Sequence, residues 1–383
     1  MSLVQGMQNL SLTPVDARHG FLNEYFPQQL STMMTSYADS PFRLGVNYSA
    51  TDTEFATIVL QAKGEFSKEH IEKLNKIIDA TGSAALYFAS LIPEHIERLL
   101  QQIPPLSSLN IIPPDNNSLW NRRDAIRSSL SQCLPIIAKK CALLEQLTIG
   151  IELNKSLHEP LQALFKEASK LTSLTIEHET ILDNETRFPF PASLTWLELR
   201  KCFLRHDELQ DLGVACPELQ TLVLEDFGMT GANNKLDTMI QKMKKLRVLH
   251  FQGTYGGVLH QIGTIAFPPS VKAFSFDFWS RNPDSNRNLI QHLCNNGVAE
   301  QLQKLTVKPW GISDGVSLKA DAVKLLQNFK ELEEFDAGAA DIDKASEQAL
   351  WQLKKTNPKL RKVIARGTTF DLTASNAVPN DKS

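Results

Sequence analysis

The chain has 383 residues, too many for one compact core but enough for two ordinary domains or one elongated repeat array. Hydrophobic residues make up 42% and charged residues 22%, shares that argue against wholesale disorder, a collagen-like chain or a coiled-coil rod. The 40 Lys and Arg residues against 43 Asp and Glu residues give a formal net charge of -3. Because non-specific nucleic-acid binding requires excess positive charge, we expect no nucleic-acid partner.

The amino-terminal 50 residues fit no repeat and are predicted to form a capping segment, since an array's first coil would otherwise expose its apolar side chains. This segment begins without a basic region or a continuous apolar stretch, so no secretory signal is predicted. The best apolar run without charges, Ala80 to Pro93, has 14 residues, whereas a membrane-spanning helix needs about 20. No membrane span is therefore expected.

Weak repeat signatures follow the first 50 residues, and their irregular spacing leaves the register before residue 144 open. They stand at Phe55/Ile58/Leu60, around Leu86/Phe88, and at Leu106/Leu109/Ile111, with helical spacing between them at Ile71, Leu74, Ile77 and Ile78.

The five cysteines are odd in number and without close pairing, which favours a reducing, cytoplasmic compartment without disulfides. Cys133 and Cys141 are eight residues apart on a predicted helix, and we interpret them as core residues rather than metal ligands.

From residue 144 onward a three-slot apolar signature recurs nine times. Its clearest copy, Leu194/Leu197/Leu199 followed by Cys202 and Leu204, reads L-x-x-L-x-L-x-x-C-x-L. Consecutive copies start 23 to 31 residues apart, with a mean of 27, and each is predicted to form a strand, a turn and a returning helix. The other copies are Leu144/Leu147/Ile149, Leu171/Leu174/Ile176, Leu219/Leu222/Leu224, Leu246/Leu249/Phe251, Val271/Phe274/Phe276, Leu302/Leu305/Val307, Leu332/Phe335/Ala337 and Leu360/Val363/Ala365.

This pattern resembles the leucine-rich-repeat family, and the helical returns look most like its ribonuclease-inhibitor-like branch. The resemblance implies an α/β fold: a curved solenoid over residues 51–370 with a parallel β-sheet on the concave face and helices on the convex face. A disordered tail, residues 371–383, would follow. In the family a small polar residue after the strand satisfies backbone groups between coils, and Cys202, Thr254 and Thr368 match that position.

Strand side chains that alternate with the slots are predicted to form the concave surface, which carries both signs of charge and aromatic residues. Such a surface suits protein recognition, because Trp and Arg dominate many interface energies. We expect the partner-binding residues to be Trp196, Glu198, Arg200, Glu225, His250, Gln252, Asp277, Phe278 and Lys308.

The sequence therefore favours a non-enzymatic scaffold without cofactor or metal that binds a protein partner of unknown identity. Its irregular repeats resemble those of bacterial effectors, which implies entry into a host cell without a classical signal peptide. The alternative is an adaptor or regulator of another enzyme, such as a ubiquitin-ligase substrate receptor or a GTPase activator.

A third hypothesis, a hydrolase, rests on G-x-S-x-G at Gly311–Gly315 with Ser313 as nucleophile, but no histidine follows Ser313 as that fold requires. The sequence leaves the oligomeric state open.

Overall fold

A computed structural model describes the chain in stretches that divide into two compact units. The first unit comprises residues 1–151 and 155–171, and the second comprises residues 152–154 and 172–383. Each unit is described by itself. The described residues are 42–48, 54–61, 83–87, 93–102, 106–112, 123–150, 155–177, 188–204, 212–226, 228–229, 235–255, 267–279, 285–310, 318–338, 340–366 and 368–373.

The first unit contains five strands that form one run of a sheet. Strand β1 pairs antiparallel with β2, and β2, β3, β4 and β5 pair in parallel in chain order. The register aligns Leu60 with Leu86, Leu86 with Ile111, and Ile111 with Ile149, so the weak signatures share the register of the first clear repeat. Its elements are β1 (Phe42–Tyr48), β2 (Glu54–Gln61), β3 (Ser83–Tyr87), α1 (Pro93–Gln102), β4 (Ser108–Ile112), α2 (Arg123–Ala138), β5 (Gln146–Ile149) and α3 (Lys155–Glu167).

Strand β1 lies inside the predicted capping segment, and the capping role of residues 1–50 stays a prediction. No apolar signature predicted this strand or its antiparallel pairing with β2. The predicted helix around Ile71 to Ile78 lies outside the described residues.

Helices α2 and α3 of the first unit each bury an apolar face. Leu161 and Leu164 on α3 are fully buried, because residues three positions apart lie on the same face of a helix. Cys133 on α2 and Cys141, just beyond its end, are also buried, as predicted. Burial raises the pKa of the Cys133 thiol to about 11 and that of Cys141 to about 12, so both thiols stay protonated at neutral pH.

The second unit contains a nine-stranded sheet in the order β6, β7, β9, β11, β12, β13, β14, β15, β16, and every neighbouring pair is parallel except β15 with β16. A separate pair, β8 with β10, is parallel. The elements are β6 (Ser173–Glu177), β7 (Trp196–Arg200), β8 (Phe203–Leu204), β9 (Thr221–Glu225), β10 (Gly228–Met229), α4 (Lys235–Lys242), β11 (Val248–Tyr255), β12 (Ala273–Trp279), α5 (Ser285–Asn295), β13 (Lys304–Trp310), α6 (Ala320–Leu325), β14 (Glu334–Asp336), α7 (Lys344–Thr356), β15 (Lys362–Ala365) and β16 (Thr368–Asp371). Short 3₁₀ turns occupy Val298–Glu300 and Leu326–Asn328.

The apolar slots form the core of each unit. All three slots of all nine predicted repeats are buried, none of them more than 2% exposed. In the second unit Leu222 aligns with Leu197 on one side and with Leu249 on the other, which is the arrangement that the repeat predicts. Parallel strands lie about 4.8 Å apart, so each row of slots packs against the next row and excludes water.

The turns after the strands share a left-handed backbone position. Lys201, Asp226 and Gly253 have φ angles of 53°, 46° and 69°. The N–H of Lys201 donates to the carbonyl of Glu225 at 2.7 Å, and the N–H of Asp226 donates to the carbonyl of Gln252 at 2.8 Å. Each of these two turns thus donates a backbone hydrogen bond to the next coil, which fixes the register between coils.

Cys202 occupies the small polar position that the family resemblance implies. Its side chain is buried, and its Sγ lies 3.2 Å from the carbonyl oxygen of Arg200 in its own coil and 3.6 Å from that of Ile176, one coil earlier. The thiol is therefore within hydrogen-bonding distance of a backbone carbonyl of the preceding coil, which is the role that the family resemblance implies for this position.

The carboxyl end of the sheet extends beyond the predicted boundary at Phe370. Strand β16 runs through Asp371, and Leu372 is 1% exposed while its N–H donates to the carbonyl of Arg361 at 2.8 Å. The first residues of the predicted tail thus close the end of the sheet, because they bury an apolar side chain there. Residues 374–383 lie outside the described residues.

Candidate functional site

One face of the second unit's sheet carries the side chains that alternate with the buried slots. We call it the strand face. Along β6 the burial alternates between half-buried and buried residues, so successive side chains point to opposite sides of the sheet. Its polar and aromatic members are Thr175, Glu177, Trp196, Glu198, Arg200, Glu225, His250, Gln252, Asp277, Lys304, Thr306, Lys308, Glu334, Asp336 and Lys362.

Three carboxylates of the strand face converge on the guanidinium group of Arg200, and we call these four residues the Arg200 cluster. Arg200 Nε lies 2.9 Å from Glu198 Oε1 and 3.1 Å from Glu225 Oε2, and Arg200 Nη1 lies 3.7 Å from Glu177 Oε2. The strand register explains this convergence, since Arg200 aligns with Glu177 on β6 and with Glu225 on β9. Three carboxylates therefore share one cation.

Glu198 lies beneath the surface of this cluster rather than on it. It is only 5% exposed, its Oε1 accepts a hydrogen bond from Arg200 Nε, and its Oε2 accepts one from Thr175 Oγ1 at 3.2 Å. A side chain so covered offers a partner little contact area. Among the predicted site residues, Glu198 therefore acts by holding Arg200 in position.

The electrostatics of the cluster are set by burial and by its excess of carboxylates. Burial would lower the pKa of Arg200, but Glu198 and the other two carboxylates outweigh it, and the net shift is upward. Burial raises the pKa of Glu225, and the nearby carboxylates of Glu198, Asp226 and Glu177 add to this against the opposing effect of Arg200. Arg200 stays charged, whereas the pKa of Glu225 is raised from its ordinary value.

A second group of predicted residues lies toward the later strands. His250 Nε2 lies 3.9 Å from Asp277 Oδ2 and, although that nitrogen is buried, it has no hydrogen-bond partner among the described residues. Asp277 aligns with Lys308 on the next strand, and Lys308 Nζ lies 3.0 Å from Asp336 Oδ2. The side chain of Lys308 is 44% exposed, so it stays accessible despite this ion pair.

Trp196, Gln252 and Phe278 complete the predicted set. Trp196 is half-buried and aligns with Thr221, and Gln252 is half-buried and aligns with Glu225. The backbone of Phe278 lies in β12 opposite Pro309, whereas its side chain lies outside the described residues.

Sequence reasoning did not identify Glu177 or the charged row just before the second slots. Glu334 in that row lies 3.0 Å from Lys362 Nζ and 3.4 Å from Lys304 Nζ. Burial tends to raise the pKa of Glu334, but the hydrogen bond from Lys362 and the charge of Lys304 outweigh it, and the pKa is lowered. The signal was present in the sequence, because the three residues hold the same position in consecutive repeats.

The described part of the chain has no group of three or more His, Cys, Asp or Glu residues placed to hold a metal ion. Within the same residues, no helix combines the length and apolar character needed to span a membrane. The Ser313 motif lies outside the described residues.

The comparisons with known proteins identify no family. No family model matches the chain, and no curated protein matches it. Among solved structures, the chain is similar to the crystal structure of a TLR13–ssRNA13 complex, with 16% identity over 74% of this chain and a TM-score of 0.40. The chain spans 34% of the TLR13 chain, and a likeness this weak carries no argument.

The parallel strands and buried slots themselves fit a leucine-rich-repeat arrangement. The ribonuclease-inhibitor-like branch, the effector role and the cytoplasmic location stay predictions.

Proposed function

We propose that this chain is a non-enzymatic scaffold that recognises a protein partner through its strand face. The observation that carries the proposal is the Arg200 cluster, in which a half-buried arginine is held by carboxylates from three adjacent strands. Arginine is enriched among the residues that dominate interface energies. A guanidinium already fixed in place loses less conformational entropy on binding than a free one, which favours affinity.

Neighbouring side chains extend this surface in both directions along the sheet. Trp196 lies on the same strand as Arg200, and Gln252 lies beside Glu225 on the following strand. Lys308 and Asp277 add one charge of each sign farther along. A half-buried aromatic residue on the same strand face as a fixed arginine, with charges of both signs along that face, has the composition of a protein interface.

Affinity purification with the full chain as bait tests this proposal. We expect Trp196→Ala and Glu225→Lys each to reduce capture of the partner at least tenfold relative to the wild-type bait, with an unchanged circular dichroism spectrum. The matched control is Glu218→Lys, because Glu218 forms an exposed ion pair with Lys245 at a turn outside the strand face. Equal capture by all three variants would refute the site.

The same experiment addresses the alternative role as an adaptor or regulator. Ligase subunits among the proteins lost with Glu225→Lys but kept with Glu218→Lys would favour a substrate receptor. A small GTPase in that set, hydrolysing GTP faster when the chain is added, would favour a GTPase activator.

A further inference from the structure

Arg200 interacts differently with the two carboxylates that approach its Nε, those of Glu198 and Glu225. The Nε of an arginine carries one hydrogen, and here it donates to Glu198 Oε1 at 2.9 Å. Glu225 Oε2 lies 3.1 Å from the same nitrogen but does not receive that hydrogen. No residue in the described part of the chain donates a hydrogen bond to the Glu225 carboxylate. Glu225 is therefore attracted to Arg200 without the directional bond that stabilises an ionised carboxylate.

Two carboxylates that approach one nitrogen are necessarily close to each other. Glu198 and Glu225 both lie within 3.1 Å of Arg200 Nε, and Glu177 adds a third negative charge at 3.7 Å from Nη1. Like charges at such separations disfavour full ionisation, so one member of the group is expected to bind a proton first. Glu198 already accepts two hydrogen bonds, and Glu177 has a second cation, because Lys201 Nζ lies 3.9 Å from its Oε1. Glu225 has neither, so it is the member expected to bind the proton.

The other groups around Glu225 come from every neighbouring strand. Lys201, in the turn after β7, lies 3.9 Å from Glu177, and Asp226 follows Glu225 in its own turn. On β11, Gln252 aligns with Glu225, and His250 lies two residues earlier with its Nε2 3.9 Å from Asp277 Oδ2. Among the described residues, the ion pair of Lys201 is therefore with Glu177 rather than with Glu225.

We propose that the Arg200 cluster is a proton-operated switch on the strand face, in which Glu225 binds a proton as the solution is acidified and changes the charge offered to the partner. With all three carboxylates ionised, the four residues carry two more negative charges than positive ones. One proton halves that excess and releases Glu225 from its attraction to Arg200. The effect on the partner rests on the proposed function, whereas the protonation itself does not.

The test is a titration of the free full-length chain with ¹³C-labelled glutamate, in which Glu225→Gln assigns the Glu225 side-chain carboxyl resonance. We expect the Glu225 midpoint to lie above the reference value of about 4.3 for an isolated glutamate. Glu198→Gln removes a like charge and should lower the midpoint, whereas Arg200→Met removes the attracting charge and should raise it. Glu218→Gln, outside the strand face, should leave it unchanged.

A Glu225 midpoint at or below the reference value would overturn the proposal, as would shifts of the same sign in Glu198→Gln and Arg200→Met. If Arg200→Met does not fold, Arg200→Lys serves instead, because it keeps a charge but loses Nε and should give a smaller upward shift.

For the captured partner, the wild-type dissociation constant should change between pH 7.5 and a pH below the measured Glu225 midpoint at least twice as much as that of Glu225→Gln. Equal changes in the two dissociation constants would overturn the proposal that Glu225 protonation regulates partner binding. Failure of partner capture would leave the titration result standing, so the two proposals fail separately.

Discussion

Two adjacent leucines of the first unit provide a sharp test of the slot pattern. Leu144 occupies the first slot of a repeat and is fully buried, whereas Leu143 lies outside the slots and is 44% exposed. Leu144→Ala would leave a cavity in a packed core, and such changes cost about 2–5 kcal/mol. Leu143→Ala removes the same atoms from a site that is largely open to solvent, where changes usually stay within about 0.5 kcal/mol.

The assay is equilibrium unfolding in urea, followed by far-ultraviolet circular dichroism, for the wild type and both variants. We expect a much lower transition midpoint for Leu144→Ala, a nearly unchanged midpoint for Leu143→Ala, and similar slopes for all three proteins. The two variants have the same composition and differ only in which of two adjacent leucines is replaced by alanine. Equal losses for the two variants, or a larger loss for Leu143→Ala, would refute the repeat register.

Three further predictions concern a turn, an ion pair and a thiol. Gly253→Ala should lower the thermal unfolding midpoint more than Gly297→Ala does. Both glycines have positive φ, but a Cβ at Gly253 would lie 2.0 Å from Asp226 Oδ1, whereas a Cβ at Gly297 would meet nothing within 4 Å. The pKa of Glu334 is lowered in the folded chain, so its stabilising contribution is present above the unfolded-state pKa and is lost as the pH falls through the folded-state pKa. Glu334→Gln should therefore reduce the loss of unfolding free energy on acidification. Cys216, whose pKa burial raises to about 12, should resist alkylation of the native chain at pH 8 while the half-buried Cys294 reacts first, and the opposite order would contradict the packing.

The apolar pattern predicted the core of the molecule well. A period of two within each short strand placed the second and third slots on one face, and the near-constant spacing placed equivalent slots side by side, as with Leu197, Leu222 and Leu249. Local rules suffice for this result, because strand alternation depends only on the backbone and a repeat needs only its neighbour to bury its leucines.

The candidate site was predicted less completely. Alternation placed Glu198 on the strand face but could not indicate that Arg200 and Thr175 cover it, because burial of an outward side chain depends on residues 23 positions earlier along the chain and on rotamer choice. Sequence distance also hid the link between Glu177 and Arg200, which is made only across aligned strands. The antiparallel strands β1 and β16 were missed for a related reason, since no apolar signature distinguishes them from connecting segments.

The sequence by itself determined which apolar side chains of the repeats are buried, the approximate length of each coil and the face that carries the polar residues, since these follow from hydrophobic periodicity and backbone geometry. Tertiary structure alone decided that Arg200 is shared by three carboxylates and that one of them lies below the surface. The physical reason is that hydrophobic burial depends on each residue's own character, whereas charge interactions depend on distances of a few ångströms between strands.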